Sequence, residues 1–247
     1  MKNTCHLVSF ADGAFVERGQ GFIDEATNLG LFDTIRVYDF DSLETEWKNQ
    51  HRDFVYKNKR GFGYWIWKPQ CVLQRLEEIE ENELLVYMDV GFEINAQAAY
   101  RFKEYFQLTL EHENKMLSFS NTHTEYRWTK ADLFECLGLS TCSKHALTTQ
   151  LAAGFFVLQN TLENRLLIQK WRDIAILSNY HYSNDELSHA VNHKQFVEHR
   201  HDASIFSLLR KLRGTEVCHY EVQSYNHFET IKSNLPAWAS RKGRVRF

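Results

Sequence analysis

The sequence predicts an α/β protein with one mainly parallel central sheet and helices on both faces. Three observations carry that expectation. Short apolar runs at 6–10, 34–40 and 84–88 alternate with stretches of helical spacing. The run LLVYM at 84–88 is continuously apolar, as in a strand covered on both faces. No Pro-, Gly- or Ser-rich linker divides the 247 residues. A single domain is therefore expected over 1–235, followed by a basic tail at 236–247.

The elements follow in order. HLVSF (6–10) reads as a first strand. Phe15, Phe22, Ala26 and Leu29 recur at roughly helical spacing, and Gly30 suits the residue past a helix end. TIRVYDF (34–40) is β-branched and aromatic, hence a strand. Residues 43–58 are polar with Trp47, Phe54 and Val55, which suits a helix. In RGFGYWIWKPQ (60–70), Pro69 can open a helix whose face is Val72, Leu76 and Ile79. Asn95 is a good N-cap for a helix with Ala99, Phe102, Phe106 and Leu110 on one side. MLSFS (116–120) and AGFFVLQN (153–160) read as strands. Leu167, Trp171, Ile174 and Leu177 mark a helix, SIFSLLRKL (204–212) another, and EVCHYEV (216–222) a late strand.

Composition excludes several classes of function. Lys and Arg total 29 against 32 Asp and Glu, a net charge of −3, which argues against bulk nucleic-acid binding. Eighteen Phe, 11 Tyr and 6 Trp can bury a sizeable core, so the chain is not a disordered segment. No stretch approaches the roughly 20 apolar residues of a membrane span. Asp12 interrupts the N-terminal apolar stretch, so no signal peptide is expected. The five cysteines are scattered without a CxxC pair, as in a cytoplasmic protein with reduced thiols. Arg241, Lys242, Arg244 and Arg246 crowd the last seven residues near Trp238. They read either as a frayed, solvated end or as a peripheral contact with anionic lipid at the inner membrane face.

In a mainly parallel sheet, ligands bind beyond the carboxyl ends of strands, here 10–13, 36–41, 89–93 and the residues near 150–160. Asp89 ends the buried strand of LLVYMDVG and could hold a divalent cation against a diphosphate, or simply cap a turn. Phe62, Tyr64, Trp65 and Trp67 lie between Arg60 and Lys68. That pattern suits an anionic ligand with a flat or sugar ring, or an aromatic core segment. His181, His189, His193, His199 and His201 cluster with Asp202. His189 and His193 would share a helix face and invite a zinc reading, although HAVNH lacks the Glu of zinc proteases. Polar surface histidines are the plainer account. Asp202 precedes an apolar helix, either as its N-cap or as a catalytic carboxylate held at its start.

Together these stretches resemble the bacterial GT-A-fold glycosyltransferases, the nucleotide-diphospho-sugar transferases of lipopolysaccharide, O-antigen and capsule assembly. The stretches that carry the resemblance are LVSFADG (7–13), ATNLGLFDTIRVYD (26–39), RGFGYWIWKPQ (60–70), LLVYMDVG (84–91), WTKADLF (128–134), QLAAGFFVLQN (150–160) and HRHDASIFSLL (199–209). The resemblance implies a Rossmann-like GT-A sheet and transfer of a sugar from a nucleotide-sugar donor, UDP-linked, to a glycan or lipid-linked acceptor. It implies that Phe10, Ala11 and Asp12 face the base, and that Arg60, Tyr64, Trp65 and Lys68 lie near the nucleotide-sugar. Asp89 matches the first carboxylate of the DxD metal motif, here Asp89-Val90-Gly91, with Gly91 in place of the second. A Mn²⁺ or Mg²⁺ ion would then be held by Asp89 with a late histidine, His227 first and His219 second, as a further ligand. Gly154 lies in AAG, which resembles the NAG stretch of retaining relatives, and Asp202 would be the acceptor-side catalytic carboxylate. Two other readings stand beside this one: a metal-dependent hydrolase using His189, His193 and Asp202, and a non-catalytic carbohydrate-binding protein.

Overall fold

Every second side chain of a strand points to the same face, so a continuously apolar strand has to be covered twice. The computed structural model, which describes residues 4–223 and 226–240, shows how this is met. The central sheet holds six strands: β1 (Cys5–Phe10), β2 (Thr34–Tyr38), β3 (Leu84–Met88), β5 (Met116–Thr124), β6 (Thr149–Gln159) and β7 (Glu216–His219). Their spatial order is β2-β1-β3-β6-β5-β7. All run parallel except β6, which is antiparallel to both β3 and β5. Leu84, Val86 and Met88 enter one core with Phe22, Phe102 and Phe155, while Leu85 and Tyr87 enter the other with Phe156, Trp171 and Phe206.

The first of these cores is covered by α1 (Val16–Leu29) and α5 (Ala99–Glu111), the second by α2 (Thr45–Lys57), α4 (Trp67–Glu78), α8 (Leu162–Tyr180) and α9 (His201–Arg213). Gly30 ends α1 in the left-handed conformation at φ 68°, as its position after Leu29 predicts. Asn95 caps a 3-10 turn over Ala96–Ala98 that leads into α5. Pro69 is the third residue of α4 rather than its first. Two short helices, α6 (Glu125–Trp128) and α7 (Ala131–Cys136), precede β6. After β7, α10 (Phe228–Ile231) leads to β8 (Ala237–Trp238), which pairs with β4 (Glu93–Ile94). The segment read as a tail from 236 thus begins in a two-stranded sheet, and Arg241, Lys242, Arg244 and Arg246 lie outside the described residues.

Much of the aromatic content is core. Trp171 stacks on Phe206 with centroids 4.0 Å apart, and Phe119 on Phe155 at 4.4 Å. Phe10 stacks on Trp67 at 3.8 Å. No described helix is long and apolar enough to cross a membrane.

The aromatic stretch at 62–67 packs largely on the core, with Trp67 buried and Phe62 and Trp65 against it, but its backbone is neither strand nor ordinary helix up to Trp65. Gly61 to Trp65 all have positive φ, between 52° and 84°, so α3 (Gly61–Tyr64) is a single left-handed turn. Of the five residues from Gly61 to Trp65, Phe62, Tyr64 and Trp65 carry side chains, and left-handed backbone costs each about 1–2 kcal/mol. The turn persists because its surroundings fix it. Gly63 N–H donates to Asn58 O at 2.7 Å, Tyr64 N–H to Arg60 O at 2.8 Å, and the Trp67 indole to Gly61 O at 3.1 Å. Gly63 also has no room for a side chain, because a Cβ there would meet Val55 Cα at 2.8 Å. Gly63→Ala is therefore expected to cost roughly 2 kcal/mol or more, the left-handed penalty plus a backbone clash. Gly138→Ala, at φ 68° with open space around it, should cost only the former. Paired thermal denaturation of the two variants measures the difference.

Candidate functional site

Because β1 and β3 pair in parallel, Phe10–Asp12 and Asp89–Gly91 leave the sheet at the same edge. The Asp89 N–H donates to Gly154 O of β6 at 2.8 Å, which fixes the end of β3. Asp89 Oδ1 accepts from the Tyr87 hydroxyl at 2.7 Å and lies 3.2 Å from Lys68 Nζ. The same Nζ lies 2.9 Å from Asp202 Oδ2. One ammonium thus joins two carboxylates, with Lys68 from the first turn of α4, Asp89 from the end of β3 and Asp202 from the first turn of α9. The side chains of Lys68 and Asp202 are 3% and 6% exposed, whereas that of Asp89 is 38% exposed, so Asp89 is the member that meets solvent.

Each member is positioned by a local device. The left-handed turn delivers the chain into α4, with Lys68 N–H donating to Trp65 O at 3.0 Å. Gly154 leaves space for Asp89, since a Cβ there would stand 2.6 Å from Asp89 Oδ2. Asp202 is carried by α9, which Arg210 ties to the sheet by donating to Leu151 O at 2.9 Å and Ala152 O at 3.0 Å. Arg210 is fully buried, and that burial pushes its pKa down to about 9 against the pull of Glu125 and Asp202.

The electrostatics follow from burial and pairing. Burial would lower the Lys68 pKa, but Asp202 and Asp89 outweigh it and the net direction is up. Burial raises that of Asp202, with Lys68 opposing and Asp89 adding to the rise. Tyr87, buried beside Asp89, is held well above the usual phenol range.

The other residues expected at the site fall into three groups. Arg60, Tyr64 and Trp65 face the segment between α8 and α9. Arg60 pairs with Asp185 at 3.0 Å and approaches Glu198 at 3.5 Å. Tyr64 and Trp65 lie against the ring of His201, centroids 5.1 and 5.4 Å away. At the β1 end, Ala11 N–H donates to Tyr38 O at 2.8 Å. Asp12 spends both oxygens on backbone, accepting from Gly13 N at 2.6 Å and Phe40 N at 3.1 Å. Gly91 O accepts from the Ser240 hydroxyl at 3.5 Å. His227 is exposed at the start of α10. Among the described residues, the group of His, Cys, Asp and Glu close enough to hold a metal ion contains neither Asp89 nor His227; it is Asp132, His181 and His189.

The histidine expectation is corrected. Residues 184–200 contain no helix, so His189 and His193 do not share a helix face. Asp202 pairs with Lys68 rather than with either histidine. The surface reading holds for His189, which is exposed, and not for His181, His199 and His201, which are buried. Asp202 is the second residue of α9, with Arg200 at the N-cap position. Tyr87 escaped the sequence reading, although it stands two residues before Asp89 and so shares its face.

A glycosyltransferase involved in the glycosylation of the major capsid of PBCV-1 superposes with a TM-score of 0.54 at 7% identity, over 98% of this chain and 94% of that one. Mouse xyloside xylosyltransferase 1, in its apo form, gives a TM-score of 0.49 at 9% identity, over 98% and 86%. No family model and no curated protein matches the chain. The fold is GT-A-like. It places the Lys68 cluster at the edge of the sheet where such folds bind ligands.

His201 adds a pH dependence. Its Nδ1–H donates to Ser183 O at 2.7 Å, and burial pushes its pKa from 6.5 down to about 4, with Arg60 adding to the drop and Asp185 and Glu198 opposing it. The folded state therefore favours the neutral ring. The stability this contributes is complete above pH 6.5 and is lost as pH falls from 6.5 towards 4. His201→Asn keeps a residue that tolerates φ 51°. Its denaturation free energy should fall by about 3 kcal/mol less than that of the parent across this interval, as measured by urea titration.

Proposed function

We propose that the chain is a glycosyltransferase. It moves a sugar from a UDP-linked nucleotide-sugar to a hydroxyl of a cell-surface glycan or lipid-linked oligosaccharide. The observation that carries this reading is Lys68 held between Asp89 and Asp202 at the ligand edge of a GT-A-like sheet. The neighbour named for capsid glycosylation supports the reaction class through the fold alone.

In such a transfer the bond between the anomeric carbon and the diphosphate oxygen breaks as the acceptor oxygen bonds to that carbon. Negative charge builds on the departing diphosphate, and a fixed positive charge nearby stabilises it. GT-A folds commonly place a divalent cation there. Among the described residues, no group of His, Cys, Asp and Glu that includes Asp89 gathers enough ligand atoms for one. Val90 and Gly91 follow Asp89, and Asp89 Oδ1 already accepts from Tyr87 and faces Lys68. Lys68 supplies the positive charge instead, and its raised pKa keeps it protonated. Asp202 is the acceptor-side carboxylate. Its raised pKa brings it closer to working pH, which suits a general base taking the proton of the acceptor hydroxyl. Asp89, the solvent-facing member, orients the donor. Gly154 borders Asp89, and Arg60, Tyr64 and Trp65 stand against Asp185, Glu198 and His201; in this reading they serve the nucleotide-sugar, with Phe10, Ala11 and Asp12 on its base side. The basic residues at 241–246 suit an acceptor at an anionic membrane surface.

Asp89→Asn should remain folded and lose at least about 100-fold in turnover, a removal of roughly 3 kcal/mol of transition-state stabilisation. Near-normal turnover would sink the assignment. Lys68→Met strands two carboxylates and should cost about 3–5 kcal/mol of stability as well as turnover. Adding Asp202→Asn should restore much of the stability and none of the turnover.

UDP should raise Tm equally with and without Mn²⁺, and the purified protein should slowly hydrolyse its nucleotide-sugar. A strict Mn²⁺ requirement would return the charge-stabilising role to a cation. Binding without any hydrolysis or transfer would favour a non-catalytic carbohydrate-binding protein.

A further inference from the structure

We infer that Asp132, His181 and His189 form a binding site for a divalent transition metal of the zinc class, separate from the Lys68 cluster. One ligand atom from each lies within 4.8 Å of the other two. The His181 and His189 rings are stacked, centroids 4.6 Å apart and planes 5° from parallel. His181 Nε2 faces Asp132 Oδ2 at 2.5 Å. They line a cavity of about 400 Å³ together with Glu135, Cys136 and Tyr182. Asp132 and His181 are buried while His189 is exposed, so an ion has both a low-dielectric seat and a way in.

The donor chemistry selects the metal. Two imidazoles and one carboxylate suit zinc and its neighbours, whereas Mg²⁺ prefers oxygen ligands throughout. Three protein ligands leave the fourth tetrahedral position to solvent. Groups around the ligands hold them in place. Asp132 accepts backbone N–H bonds from His189 at 2.9 Å and Ala190 at 2.7 Å. Glu186 Oε2 lies 3.2 Å from His181 Nδ1, so that nitrogen can donate outward while Nε2 turns to the ion. Entry of the metal requires the contact between Asp132 and His181 to open to about 3.3 Å, the edge of a tetrahedron with bonds near 2.0–2.1 Å, and the exposed His189 ring to rotate out of its stack so that both in-plane lone pairs meet at the ion.

The site spans two parts of the chain. Asp132 belongs to α7, while His181 and His189 belong to the segment of 20 residues between α8 and α9, which contains no helix or strand. That segment leads directly into His201 and Asp202. A bound ion would clip it to α7 and hold the approach to the acceptor side of the cluster.

The test titrates the metal-stripped full chain with Co²⁺ as a spectroscopic probe and then with Zn²⁺. One Co²⁺ per chain should bind with the visible d–d bands of a tetrahedral site, and Zn²⁺ should displace it. The bands should vanish in His189→Ala, whose side chain is exposed and whose removal leaves the core untouched, and also in His181→Gln. They should persist in Asp89→Asn and His193→Ala, which separates this site from the proposed donor site. Zn²⁺ should slow proteolysis of the 181–200 segment in the parent and not in His189→Ala. Absence of the bands, or bands that survive both His189→Ala and His181→Gln, would overturn the assignment.

Discussion

Lys68 presents the central constraint of this molecule: an ammonium ion taken almost wholly out of water. Such a charge persists only where opposite charge is fixed within hydrogen-bond reach, and here two carboxylates supply it from different elements. Three otherwise unrelated features serve this arrangement. The left-handed turn sets where α4 starts, a missing side chain at Gly154 lets Asp89 lie flat against β6, and Arg210 anchors the helix that brings Asp202 in. The electrostatic centre and the fold are thus one problem, since neither Lys68 nor Asp202 can shift without stranding a buried charge.

A second buried polar system supports the same helix. Glu125, fully buried in α6, accepts from Thr129 at 2.8 Å and Gln150 at 3.1 Å, and Lys211 of α9 lies 3.1 Å away. Ser207 of α9 also donates to it. These bonds fasten α6, β6 and α9 together behind the site. Fully satisfied networks of this kind rigidify the elements they join.

Local patterns made the layered architecture readable. The apolar run at 84–88 announced a doubly covered strand, and Gly30 announced the end of α1. The direction of β6 was not readable, because LAAGFFVLQN has the same alternation traversed either way. The turn at 61–65 was visible only as aromatic crowding between two glycines, since φ is set by contacts with Asn58 and Val55 that composition does not reveal. Asp89, Lys68 and Asp202 were each singled out separately, yet their meeting depends on three long-range packings. The metal reading chose His193 from a spacing rule that holds only on a helix. The partners that His189 does meet, Asp132 and His181, lie 57 and 8 residues before it in sequence and become neighbours only through tertiary structure.

The left-handed turn has a consequence for how this sequence can drift. Five successive residues on the unfavourable side of φ leave few acceptable exchanges, because β-branched side chains are least tolerated there and Gly63 has backbone against the place its Cβ would occupy. Most of the sheet can exchange one apolar residue for another with little penalty. The stretch from Gly61 to Trp65 tolerates fewer exchanges, because backbone conformation as well as packing restricts it. Tolerance to substitution is thus lowest in the few residues that deliver the chain to Lys68.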